Sequence, residues 1–188
     1  MEKEYYYIIS YQKKGEMKYI GHLDLMNFWQ KVFRMANLPV AYTQGFNKKM
    51  RLNLIQPLPL GMEGLNEYLH VTLTEEIATE NIEKTLLDKQ QNKLVFNKVV
   101  KTKYPSKWFS KHLAAAVYKV YLGKNSEINS FTRQFADKII STIDLGSKEY
   151  LIKMVNTPQL QINPFKLFSQ LPYIDIIEIK RTRLVYQI

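Results

Sequence analysis

Residues 19–68, YIGHLDLMNFWQKVFRMANLPVAYTQGFNKKMRLNLIQPLPLGMEGLNEY, decide how this chain is read. Apolar residues at 25, 28, 29, 32, 35 and 36 recur at the spacing of one helix face, which predicts a helix over Leu23–Ala36. Pro39 stops it. Arg51–Gln56 then reads as a strand, the run PLPLG at 57–61 as a turn, and Glu67–Thr74 as a second strand. Between helix and strand lies a polar loop in which aromatic, amide and basic residues alternate.

Outward from that stretch the same order continues. Tyr5–Tyr11 is a Tyr/Ile-rich strand before it, while Ile77–Lys89 (helix) and Lys93–Lys103 (strand) follow it. Tyr104–His112, YPSKWFSKH, reads as a linker. Beyond it the order repeats without repeating the sequence: a strand Ala116–Leu122, a helix near Ser126–Ile140 with Asn125 or Ser126 as cap, and a hairpin of Ser141–Leu145 and Lys148–Asn156 around Gly146. A short helix Asn163–Leu171, with Asn163 as cap and Pro164 in first position, precedes a last strand Ile174–Tyr186. The expectation is an α+β protein of two tandem ferredoxin-like (βαββαβ) units with antiparallel sheets, over 1–104 and 105–188.

Composition limits the function classes. With 46% hydrophobic and 13% aromatic residues in 188, the chain has material for a core and is not a disordered polyelectrolyte. No apolar run approaches the ~20 residues of a membrane helix. The start, MEKEYYYIIS, is acidic and strand-like rather than a secretory signal, so a cytoplasmic location is expected. The absence of cysteine excludes disulfides, thiolate metal sites, cysteine catalysis and an iron–sulfur cluster ligated by cysteines of this chain. The net charge of +10 is unevenly spread. Residues 57–92 carry seven acids and two bases, whereas residues 93–112 carry six lysines and no acid. Clustered positive charge attracts polyanions.

Three groups of residues carry candidate chemistry. His22 and Asp24 sit in the first turn of the first helix, where Asp24 complements the helix dipole and a neutral His22 would serve as general base. The alternative is a capping Asp beside a locally packed His. His70 and His112 form no metal-ligand spacing, and no metal site is expected. In the loop, Gly45 permits a tight turn, Gln44 and Asn47 offer donors and acceptors, and Tyr42 and Phe46 offer faces for a base. Lys48, Lys49 and Arg51 would hold phosphates, a combination that suits single-stranded RNA. The alternative is a solvated loop with Phe46 pinned into the core. Arg181 and Arg183, two apart on the last strand, share one face and would grip a phosphate, unless they merely form a solvated sheet face. Trp108 with Phe109, flanked by Lys107 and Lys111, and the Tyr5, Tyr7, Tyr11 face are either stacking platforms or packed aromatics.

The runs HLDLM at 22–26, AYTQGFN at 41–47 and PLPLG at 57–61, with the pair Glu67-Tyr68, resemble the radical-SAM-linked domain of unknown function. Ile143-Asp144-Leu145, Asn163-Pro164 and Arg181-Thr182-Arg183-Leu184 extend the resemblance over nearly the whole chain. Two departures stand out: Gly21 replaces a Ser, and Lys48-Lys49-Met50 replaces a Pro-His-Pro run, which removes a histidine and adds charge. The resemblance implies the stand-alone form, an accessory subunit of a radical SAM protein. The iron–sulfur cluster and S-adenosylmethionine are then expected on that partner, with no cofactor on this chain.

A second resemblance, at the level of architecture, is to the CRISPR repeat-processing endoribonucleases, which carry a His on an early helix. Their C-terminal Gly-rich loop has no counterpart here, since the last glycine is Gly146. Three functions are therefore expected in order. The first is a non-catalytic RNA-binding or substrate-presenting module for a radical SAM enzyme in RNA modification. The second is a metal-independent endoribonuclease using His22, and the third a pure protein-interaction subunit.

Overall fold

The computed structural model describes residues 3–90 and 94–187, so Lys93, which opens the expected strand and basic segment, lies outside it. The first half contains β1 (Tyr5–Lys13), a 3-10 turn (Gly15–Tyr19), α1 (His22–Met35), β2 (Leu52–Ile55), β3 (Glu63–Leu73), α2 (Thr79–Lys89) and β4 (Val95–Thr102). After α3 (Ser106–His112) come β5 (Leu113–Leu122), α4 (Ile128–Gln134), β6 (Ile139–Gly146), β7 (Glu149–Val155), α5 (Pro164–Phe168) and β8 (Ile176–Tyr186).

The protein is α+β, and the eight strands among the described residues form one sheet rather than two. The order is β4-β1-β3-β8-β5-β7-β6, with β2 added on β3. The joint is a short parallel pairing, Glu63 with Lys180 and Gly64 with Arg181. It exists because β3 begins at Glu63, four residues before the expected start, and so offers β8 an edge. Every other strand pair is antiparallel.

Alternation along β1 buries Tyr7, Ile9 and Tyr11 against Leu25, Trp29, Val32 and Phe33 of α1 and Ile82 and Leu86 of α2. Tyr7 and Tyr11 are thus core residues, not a stacking platform. A second core joins β5, β7 and β8 to α4 and α5, with Phe131 stacked on Phe168 at 3.8 Å. Ile55 and Met62 of the first half enter that core, which ties the halves together. No helix among the described residues is long and apolar enough to cross a membrane.

Several local expectations change. The helix expected to Ile140 ends at Gln134, and Ile139 already starts β6. Ser126 does not cap α4; its hydroxyl accepts the Asp175 amide at 2.7 Å. Asn163 does cap α5, accepting from the Phe165 amide at 3.1 Å with Pro164 in the first turn. The expected linker is helix α3, laid on the sheet face opposite α1 and α2, where Phe109 lies 6.0 Å from His70.

Candidate nucleic-acid interface and junction cleft

The polar loop stands off the sheet as a hairpin. Val40 bridges to Leu73 and Tyr42 to Met50, and the Arg51 amide donates to the Ala41 carbonyl at 2.8 Å. The Thr43 amide donates to the Lys49 carbonyl at 2.9 Å, while the Thr43 hydroxyl accepts from the Lys49 amide at 3.0 Å. These bonds close the neck and leave Gln44–Lys48 as an exposed tip. Gly45 turns the tip with φ +109°, a backbone conformation that side chains oppose.

Phe46 is fully exposed (105%), so the alternative in which it is pinned into the core does not hold. Tyr42, Gln44, Asn47, Lys48 and Lys49 are also exposed. Arg51 is half-buried at the neck and paired with Glu4. Glu4 is held below the usual carboxylate range chiefly by its hydrogen bond to Arg51. Beside the neck is a cavity of ≈ 320 Å³ lined by Lys3, Glu4, Tyr42, Gln44 and Arg51 among others. The hairpin thus gathers Tyr42 through Arg51 into one basic, aromatic-tipped projection.

Arg181 does not join it. A bulge in β8 at Thr182 makes Arg181 face Tyr118 and Arg183 face Val117 on β5, neighbours that point to opposite sides. The two arginines therefore lie on opposite faces of the sheet, and the expected shared phosphate grip is not formed. Arg183 is exposed, whereas Arg181 is 1% exposed. Its Nε donates to Glu67 Oε1 at 3.0 Å, and Nη2 donates to Glu67 Oε2 and to the Gln56 carbonyl. Glu67 is itself 3% exposed, and Gln56 adopts φ 48°, a left-handed conformation uncommon for its type. Sequence reading missed this inter-half clamp, although Glu67 and Arg181 both lie in the quoted motifs.

Gly64 is part of the clamp. A Cβ there would sit 2.4 Å from Glu67 Oε1 and 2.6 Å from its Cδ. Because Glu67 is fixed by Arg181, Gly64→Ala is expected to lower stability by about 1–3 kcal/mol, checked by urea denaturation against wild type.

Buried Lys13 completes the junction, donating to the Ile20 carbonyl at 2.8 Å. Burial pushes its ammonium pKa down, Glu67 pulls it back, and Arg181 adds to the depression. Burial also raises the Tyr11 phenol, helped by Glu67. His22 lies at the mouth of this cleft with Tyr11, Lys13, Leu58 and Glu67, and both His22 and Asp24 are exposed. The cleft's ≈ 10 Å³ holds no more than about one water. No cluster of metal-ligating residues occurs among the described residues.

On the face covered by α3, His70 is 2% exposed and its Nε2 donates to the Tyr104 carbonyl at 3.2 Å. Trp108 lies between Tyr104 at 4.1 Å and His112 at 4.3 Å, both near-parallel to it. Both of its faces are taken, so Trp108 is not a platform for a base.

No curated protein matches the sequence. Among solved structures, an acetolactate synthase small subunit from Thermotoga maritima aligns over 98% of this chain and 96% of its own at 14% identity and TM-score 0.30. A putative glycine cleavage system transcriptional repressor aligns over 98% and 99% at 12% identity and TM-score 0.31. A family model matches residues 6–160, which include the clamp's Glu67, the hairpin and α3. The chain belongs to that family, described as an uncharacterized protein conserved in bacteria (DUF2344).

Proposed function

We propose that this protein is a non-catalytic RNA-binding module that presents RNA to a radical SAM enzyme in the cytoplasm. The cluster and S-adenosylmethionine then belong to that enzyme. The observation that carries the RNA reading is Phe46, a large aromatic wholly in solvent at the tip of a hairpin that also bears Lys48 and Lys49. Exposing a phenyl ring costs free energy unless a partner covers it, and a base would do so by stacking. The bonded neck holds both ends of the short tip that carries the ring and Lys48.

The radical SAM association rests on the motif resemblance and on one surface. Tyr19, Leu23 and Leu60 are exposed, and the Gly61 amide donates to the Lys18 carbonyl at 2.9 Å, which brings the PLPLG turn to Tyr19. Apolar side chains gathered around the HLDL and PLPLG motifs suit a protein partner. We also read the two halves as tandem ferredoxin-like units. In support, β1-α1-β2-β3-α2-β4 is ordered 4-1-3-2 in the sheet, and β5-α4-β6-β7-α5-β8 is ordered 8-5-7-6.

Two variants test the RNA reading. Phe46→Ala is expected to weaken binding to a single-stranded RNA by roughly tenfold with an unchanged salt slope, because stacking carries no counterions. Lys48→Ala/Lys49→Ala is expected to reduce that slope by about 1 to 1.5. Unchanged affinity and slope in both variants would show that the hairpin does not contact RNA.

A second reading, metal-independent RNA cleavage by His22, is favoured by the position of His22 over Lys13, Tyr11 and Glu67. It requires cleavage in a chelator that disappears in His22→Ala while the fold is kept. Cleavage surviving in that variant removes the reading.

A further inference from the structure

The segment from Lys103 to His112 repeats a Lys–aromatic pair at every fourth residue: Lys103-Tyr104, Lys107-Trp108 and Lys111-His112. Lys107-Trp108 and Lys111-His112 lie on α3, one step of about 6 Å apart, while Lys103-Tyr104 lies in the bend that leads into it. The rings Tyr104, Trp108 and His112 form one stacked column, and the His112 Nδ1 donates to the Trp108 carbonyl at 2.8 Å. Phe109 anchors the helix between His70 and Tyr186, at 6.0 and 5.7 Å. Isolated, a helix of seven residues would not persist. The ring column and the Phe109 anchor therefore fix the backbone that carries the lysines.

Lys103, Lys107 and Lys111 are exposed, and among the described residues none meets a carboxylate. The four-residue step from Lys107 to Lys111, about 6 Å along the helix, is comparable to the spacing of successive phosphates on one strand. The line of lysines also continues from the hairpin. The ≈ 320 Å³ cavity at the hairpin neck shares Lys3 and Glu4 with a second, open cavity of ≈ 500 Å³ that ends on Lys101, Thr102 and Lys103. The acids in this groove are already paired, Glu4 with Arg51 and Glu76 with Lys101. A polyanion entering it meets Lys3 and then the lysines of α3.

We propose that a single RNA strand held at the hairpin runs through this groove, past Lys103 at its end, to α3, where Lys107 and Lys111 hold its phosphates. The site would then be two contact points joined by a basic channel. This rests on the hairpin being an RNA contact, and the experiment separates the two claims.

Oligouridylates lengthened stepwise from about 4 to about 16 nucleotides, the usual range of single-strand sites, are titrated onto the full chain across a salt series. Wild type is expected to bind short oligomers through the hairpin and to gain affinity in a second step once the strand reaches α3. Lys103→Gln/Lys107→Gln/Lys111→Gln should abolish the second step and make the long-oligomer salt slope shallower by about 2, with short-oligomer binding intact. Far-UV circular dichroism and Tm verify the fold, and Lys107→Gln/Lys111→Gln alone should give an intermediate slope. If the triple variant keeps both the step and the slope, α3 is not on the path and the hairpin claim stands. If wild type binds no oligomer of any length, both claims fall. Equal affinity for duplex RNA of the same length overturns the single-strand assignment.

Discussion

Arg181→Met is expected to lower stability by about 3–5 kcal/mol, and the melting temperature by roughly 10 °C or more. The substitution keeps most of the side-chain volume and removes the charge. Glu67 is then left buried against Gly64 with Lys13 as its remaining cationic neighbour, and the Gln56 carbonyl loses its donor. An uncompensated buried carboxylate costs far more than an intact pair contributes. Arg181→Met/Glu67→Leu should therefore recover part of the loss, since the buried carboxylate is gone while Lys13 keeps only its bond to the Ile20 carbonyl and the Gln56 carbonyl still lacks its donor. Thermal and urea denaturation of the three proteins check this. RNA affinity per folded molecule should not change in Arg181→Met, because a side chain with 1% exposure offers nothing to a phosphate. Arg183→Ala, on the other face, leaves stability within about 0.5 kcal/mol.

The clamp was not legible in the sequence for a specific reason. Arg-Thr-Arg on a strand implies a shared face, because side chains alternate with period two. The bulge at Thr182 breaks that period, and nothing in the residue types announces it. Likewise Glu63–Asn66, polar and containing a glycine, reads as loop, yet these residues open β3 and carry the parallel joint to β8. That YPSKWFSKH, which joins β4 to β5, is helical was not legible because seven helical residues show too little periodicity and the helix is held by packing on His70 and Tyr186. Where local chemistry decides, the sequence was readable. The apolar stripe of α1, the Tyr/Ile alternation of β1 and the Asn163-Pro164 helix start all correspond to observed elements. The hairpin's residues were legible as a set, whereas the full exposure of Phe46 depends on the bonded neck, which residue types alone do not specify.

Acidification supplies the second large effect. Burial pushes His70 down to about 4, against a lesser upward pull from the Tyr104 carbonyl and a further push down from Arg51. Tyr6 and Phe109 are the aromatic neighbours around it. A base with a folded-state pKa below its unfolded value of about 6.5 takes up a proton on unfolding. Its contribution to stability is therefore complete above pH 6.5 and is lost as pH falls from 6.5 toward 4. The full loss is roughly 3 kcal/mol from this one side chain. Urea unfolding of wild type and His70→Phe at pH 7.5 and pH 4.5 separates it from the carboxylates. The variant forfeits the hydrogen bond to Tyr104 at both pH values, but its stability should fall less between them. Parallel losses in the two proteins would mean that His70 is not held neutral by the α3 contact.

The central claim is that the exposed aromatic and lysines of the 42–51 hairpin make this chain an RNA-binding module. Its most direct test is binding of the purified protein to total cellular RNA across a salt series, with the bound RNA sequenced. A steep loss of affinity with rising salt and enrichment of one RNA class are expected. Negligible binding that does not vary with salt would contradict the claim.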